Sequence, residues 1–140
     1  MPNSSGTLRV RTYTAGGALP VANAVVRVIG ASEDVRLVSY SSLTDRDGLS
    51  DLFTLPTPDV GYSMSPDPAE LPYSLYDIEV TADGYFTKRI KGVSLFPGIN
   101  SIQLVNMTPG SGKMIEEYPR GSVNYIIPEN TDPNRAHQDE

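Results

Sequence analysis

Apolar and polar residues alternate along most of the chain in short runs, and glycine, proline, aspartate and asparagine fall between the runs. Successive side chains of a strand point to opposite faces, so this period of two predicts an all-β fold with almost no helix. Seven strands are predicted, at residues 7–14, 24–30, 35–43, 49–56, 73–82, 85–96 and 100–107.

The same alternation assigns an inner and an outer face to each strand. In the first strand Arg9 and Arg11 point outward, and the fifth strand is the most regular and is expected to be central. The predicted core positions of the first, second and fifth strands are Leu8, Val10, Thr12, Ala24, Val26, Val28, Tyr76, Ile78 and Val80.

The connections carry turn chemistry. Asp83 and Gly84 are the pair expected of a tight hairpin turn, because glycine takes a positive φ without a Cβ clash. Five prolines between residues 56 and 72 predict a loop, since each proline removes a backbone donor.

The alternation ends near residue 108, which sets the predicted domain boundaries. Residues 1–6 are expected to be disordered, 7–108 to form the domain, and 109–140 to be an extended or disordered acidic tail. One apolar run in the tail contains Val123, Tyr125, Ile126 and Ile127. We expect this run to dock as an added strand on its own domain or on a partner.

Composition narrows the class of protein. The length of 140 residues is that of one domain. The net charge of -6 disfavours nucleic acid as a partner, because nucleic acid is also negatively charged. The absence of cysteine excludes disulfides and thiolate chemistry. The start of the chain lacks a secretory signal, and no run approaches the roughly 18 apolar residues of a membrane span.

Four motifs together resemble the carboxypeptidase regulatory-like family: a first strand, "PVANAV" at 20–25, "TDRDG" at 44–48 and "YDIEVTADGY" at 76–85. The resemblance covers roughly residues 6–108. It implies a seven-stranded transthyretin-like (prealbumin-like, Ig-like) β-sandwich with a largely extended C-terminal tail. It also implies a binding or accessory module that is not an enzyme and needs no cofactor.

A narrower resemblance covers residues 55–107, which look like the N-terminal domain of clostridial spore cortex-lytic and related peptidoglycan-binding proteins. It implies a peptidoglycan or glycan partner. The compartment stays open: without a secretory signal, we expect the protein to be cytoplasmic or to reach the spore or cell envelope through a partner.

Enzymes with transthyretin-like architecture need residues that the chain lacks. Tyr118–Ser122 nearly matches the tetrapeptide that ends hydroxyisourate hydrolases, but Pro119 interrupts it, and the only histidine is His137. One histidine cannot supply the two-tyrosine, two-histidine iron site of intradiol dioxygenases or a zinc site. We therefore expect no catalytic residues.

Two further site types have partial support in the sequence. An isopeptide crosslink needs a first-strand lysine, where this chain has arginines, so Glu79 is expected to pair with Lys88 or Arg89 across the hairpin. Calcium candidates are Asp45, Asp47 and Asp51, and the alternative is a turn in which Asp45 accepts local backbone bonds.

The strongest binding candidate is an aromatic surface, formed by Tyr62, Tyr73, Tyr85, Phe86 and Phe96 if their loops share one end of the fold. The alternative is that Tyr73 and Tyr85 pin the proline-rich loop to the sheet. The predicted partner is a protein or a peptidoglycan glycan, and the tail offers a route to a homo-oligomer.

Overall fold

The computed structural model describes residues 4–59, 72–119 and 123–124. They contain no α-helix, and two short 3₁₀ helices lie at Ala15–Gly17 and Glu33–Val35. The strands are β1 (Ser4–Thr14), β2 (Leu19–Pro20), β3 (Val25–Gly30), β4 (Ser39–Leu43), β5 (Phe53–Thr57), β6 (Ser74–Thr81), β7 (Thr87–Leu95), β8 (Asn100–Asn106), β9 (Met114–Glu117) and β10 (Val123–Asn124). The all-β prediction is confirmed.

The strands form two mixed sheets. Sheet A has the order β10-β8-β1-β2, and β5 also pairs with β1. Sheet B has the order β4-β3-β6-β7-β9, with β6 in the middle. The β1–β8 and β7–β9 pairs are parallel and the other pairs are antiparallel.

One apolar core joins the inner faces of the two sheets. All nine predicted core positions are 0% exposed, as the period of two requires. Tyr76 is the largest of them, and its hydroxyl donates a hydrogen bond of 2.6 Å to the carbonyl of Pro56. Burial raises the pKa of Tyr76, so this phenol stays a neutral donor.

The third predicted strand begins later than expected, at Ser39 instead of residue 35. A Cβ on Gly30 would lie 1.7 Å from the Val35 carbonyl oxygen, so the chain folds back tightly over the end of β3. Val35 is buried there in a 3₁₀ turn, and Val38 donates to its carbonyl at 2.9 Å. A strand cannot follow that path.

The ordered part of the chain is also longer than the predicted boundaries. β1 begins at Ser4, inside the segment expected to be disordered, and pairs with β5 from that residue. β9 lies inside the predicted tail, where it pairs with β7 from Thr87↔Met114 to Ile90↔Glu117. The sheets therefore extend past the predicted boundary at 108.

Candidate functional site

The outer side of β8 is where sheet A receives its last strand. β8 pairs along its whole length with β1, from Thr7↔Asn100 to Tyr13↔Asn106. On its other side the described residues of β10 pair with Ile102 and Ser101. Among the described residues, β10 is therefore the last strand of sheet A on that side, and a strand at a sheet edge is a template for pairing with another chain.

The C-terminal strands lie at one side of both sheets. The rings of Tyr40 on β4 and Phe53 on β5 are 6.5 Å apart, which places those two strands over each other. The sheet orders then place β9 and β10 at the edges of the two sheets that lie away from β4 and β5. The segment predicted to be a tail thus supplies an edge strand to each sheet.

The tail residues predicted to dock fall partly on this edge. The backbone of Val123 pairs with Ile102 in antiparallel register. Tyr125, Ile126 and Ile127 lie outside the described residues. The docking of this run on a partner stays a prediction.

The predicted aromatic surface is divided between two ends of sheet B. Tyr73 and Phe96 flank the Ser74↔Leu95 pair, with ring centroids 5.3 Å apart. Tyr85 and Phe86 lie at the turn between β6 and β7, a strand length or roughly 25 Å away. Tyr62 lies outside the described residues. The structure does not bring the four described rings together.

Tyr85 and Phe86 hold the segment that follows β8. Phe86 N–H donates to the Thr108 carbonyl at 2.9 Å, and Tyr85 forms an isolated bridge with Pro109. A Cβ on Gly110 would lie 2.3 Å from the Phe86 ring, so the backbone passes directly against it. These two aromatics therefore have a packing role. The predicted pinning of the proline-rich loop by Tyr73 and Tyr85 falls on residues outside those described.

The calcium candidates form a turn. The Asp45 carboxylate accepts N–H bonds from Asp47 at 2.8 Å and Leu49 at 3.0 Å, and Gly48 has φ +80°. Within the described residues, no three acidic or histidine side chains are grouped as a metal site would need. The alternative prediction for "TDRDG", a turn with local backbone bonds, describes this geometry.

The Glu79 ion pair is confirmed for Arg89 and wrong for Lys88. Glu79 Oε1 lies 3.0 Å from Arg27 Nη1 and 3.8 Å from Arg89 Nη2 on the outer face of sheet B. Lys88 instead points inward, is 3% exposed, and bonds Glu117 of β9 at 2.8 Å. The alternation of β7 contains the signal for this inward position. Lys88 lies two residues before the buried Ile90, so the two side chains are on the same face of the strand.

No helix in the described part of the chain is long and apolar enough to span a membrane. No family model and no curated protein matches the chain. Solved structures do match. The 3-chlorocatechol 1,2-dioxygenase of Rhodococcus opacus 1CP has 9% identity and a TM-score of 0.44, over 83% of this chain and 61% of that one.

Two further matches are similar. The chlorocatechol 1,2-dioxygenase of Pseudomonas putida has 12% identity and a TM-score of 0.44, over 81% of this chain and 61% of that chain. The catechol 1,2-dioxygenase of Pseudomonas arvilla C-1 has 11% identity and a TM-score of 0.44, over 86% of this chain and 54% of that chain. The chain spans 54% to 61% of the length of these three structures.

These comparisons correct two predictions. Both motif resemblances are contradicted: no family model matches the chain, and the three structures named above are catechol dioxygenases, not carboxypeptidase regulatory-like domains or spore cortex-lytic proteins. The prediction that the chain is not an enzyme is also contradicted, because the matching proteins are enzymes. At this identity and TM-score the matches assign no activity to this chain. The predicted peptidoglycan partner and spore setting rested on the narrower of these resemblances and have no other support.

Proposed function

We propose that this chain is an assembly module that joins a second copy of itself by strand addition at the outer side of β8. The C-terminal segment around β10 supplies the added strand. The observation that supports the proposal is the antiparallel β10–β8 pairing at the edge of sheet A, in which the described residues Val123 and Asn124 meet Ile102 and Ser101. The same register is open to the segment of a neighbouring copy.

The energetics favour exchange of this strand. β10 is held to sheet A by its backbone hydrogen bonds to β8, and each such bond contributes about 0.5–1.5 kcal/mol. An edge strand pairs on one side of its backbone, so it opens more readily than a central strand. In a dimer the same bonds form between copies. The effective concentration of the attached segment, compared with the protein concentration, sets the ratio of monomer to dimer.

The experiment is light scattering after gel filtration, over a range of protein concentrations. The Val123→Pro/Asn124→Pro variant removes both backbone donors of β10 and restricts φ, so it should be monomeric. The matched control is Val123→Thr/Asn124→Thr, which keeps the donors and favours strands. The wild type and this control should form dimers as concentration rises.

A second arm uses a synthetic peptide of residues 121–129, which should dissociate the dimer, whereas a scrambled peptide should not. A truncation must retain residues up to 119, because a cut at 108 also removes β9 and the Glu117 partner of Lys88. A wild-type protein that stays monomeric at every concentration, or a proline variant that still dimerises, would reject the proposal.

A further inference from the structure

A surface cavity of about 350 Å³ lies on the outer face of sheet A, where β1 ends. Its floor consists of Arg11 and Tyr13 from β1 and their register partners Leu104 and Asn106 from β8. These side chains point away from the core, because Val10 and Thr12 between them are buried. The volume lies within the range of about 300–1,000 Å³ typical of small-molecule sites.

One wall of the cavity is a short turn with an unusual backbone. Ala15, Gly16 and Gly17 have φ of +56°, +66° and +96°, a left-handed run that glycine tolerates. A Cβ on Gly16 or Gly17 would meet no atom within 4 Å, so these glycines border open space instead of packed protein.

The wall is tied to both strands of the floor. Thr14 Oγ1 donates to the Met107 carbonyl at 3.0 Å, and Met107 N–H donates to the Tyr13 carbonyl at 2.7 Å. β2 then returns to pair with Tyr13 and Thr14. The cavity is therefore preformed by backbone bonds, which lowers the entropy cost of binding.

The polar groups of the cavity are available for a ligand. Arg27, Arg36 and Arg89 each have a carboxylate partner, whereas the Arg11 guanidinium has no ion pair or hydrogen bond to any described residue. None of the six lining residues is acidic, although the chain carries a net charge of -6. An unpaired guanidinium favours a planar anion that can accept two parallel bonds.

We propose that this cavity binds a small carboxylate with an apolar or aromatic body. Arg11 holds the carboxylate, and Leu104 and the Tyr13 ring contact the body. The Asn106 amide and the Tyr13 hydroxyl supply further hydrogen bonds. One guanidinium beside apolar side chains fits a monoanion with a hydrophobic part better than a dianionic phosphate.

The test is a calorimetric titration of the full chain with 3-phenylpropanoate, with 3-phenylpropanamide and with inorganic phosphate. The acid should bind saturably, and Arg11→Gln should weaken it about tenfold or more. The control Arg46→Gln removes the same charge from an exposed turn residue outside the cavity and should leave affinity unchanged. Leu104→Ala should weaken the acid as well, through lost apolar contact.

Four outcomes would overturn the proposal: no saturable binding, an equal loss in Arg11→Gln and Arg46→Gln, amide binding equal to acid binding, or phosphate that competes as well as the acid.

Peptides with a free C-terminal carboxylate distinguish the source of the ligand. Binding of an acetylated Ala-Phe peptide, but not of its C-terminal amide, would support a chain terminus as the natural carboxylate. Titration of the Val123→Pro/Asn124→Pro variant separates this site from dimerisation.

Discussion

The Asp45 carboxylate caps its own turn. Its bonds from the N–H groups of Leu49 and Asp47 lower its pKa below the ordinary 3.8. A group whose native pKa is depressed stabilises the fold above its unfolded pKa and loses that contribution as the native carboxylate is protonated. The stabilisation is therefore complete well above pH 3.8 and is lost as pH falls below that value.

We expect Asp45→Ala to lower the free energy of unfolding at neutral pH. The difference from the wild type should shrink as pH falls through the native pKa. Asp45→Asn keeps an acceptor oxygen without a charge, so it should lose less stability than Asp45→Ala, and its difference from the wild type should shrink over the same pH range. Urea unfolding from neutral pH to about pH 2 measures this. An Asp45→Ala deficit that stays constant over the whole pH range would contradict the assignment.

At the scale of single residues, local chemistry is readable from the sequence and long-range contact is not. The bonds of "TDRDG" join residues at most four positions apart, so residue types alone predict the turn. The sequence does not reveal that a Cβ on Gly48 would also lie 2.3 Å from the Thr12 carbonyl oxygen. That contact depends on the fold, as does the pocket around Arg11.

At the scale of elements, Lys88 and Glu117 join β9 to sheet B. The Lys88 side chain is 3% exposed, and its ammonium lies 2.8 Å from the carboxylate of Glu117, whose side chain is 43% exposed. Glu117→Ala should lower the free energy of unfolding by about 1–3 kcal/mol, because it leaves a buried charge without its partner. Lys88→Met should cost less than about 1 kcal/mol, since it removes the charge and keeps the volume.

Chemical denaturation of the single and double variants measures the coupling. Lys88→Met/Glu117→Ala should be more stable than Glu117→Ala alone. Glu116→Ala is the matched control, because Glu116 is on the same strand but exposed, and it should change stability by about 0.5 kcal/mol or less. Equal effects of Glu116→Ala and Glu117→Ala would remove the role assigned to this ion pair.

Element length decided which strands could be predicted. The seven predicted strands correspond to β1, β3, β4, β5, β6, β7 and β8, whose five or more residues display the period of two. β2 and β9 have two and four residues, too few to show a period, and their strand state depends on the neighbour with which each pairs.

At the scale of the whole molecule, the pairing order predicts a gradient of local stability. β6 has a strand on each side and its inner residues are 0% exposed, whereas β10 lies at the edge of sheet A and pairs with β8 on one side. Native-state hydrogen exchange should show amides of β6 opening only with global unfolding, and those of β10 opening at a cost near zero. Similar protection in β6 and β10 would contradict both this gradient and the exchangeable edge.

Sheet partners across the chain could not be read from the sequence. Alternation identifies which face of β1 is buried, but it carries no information about which strand lies beside it. The parallel partner of β1 is β8, whose register begins at Thr7↔Asn100. The hairpin of β6 and β7, by contrast, follows from the Asp83–Gly84 turn that joins them.

The β1–β8 pair has a consequence for how the protein is made. Thr7 and its partner Asn100 are separated by 93 positions, as their side-chain hydrogen bond of 2.6 Å also shows. At about 5–20 residues per second, the ribosome adds residue 100 roughly 5–20 s after residue 7. During that time the newborn first strand has no permanent neighbour on one side, so the nascent chain is a natural client for chaperones that shield unpaired backbone.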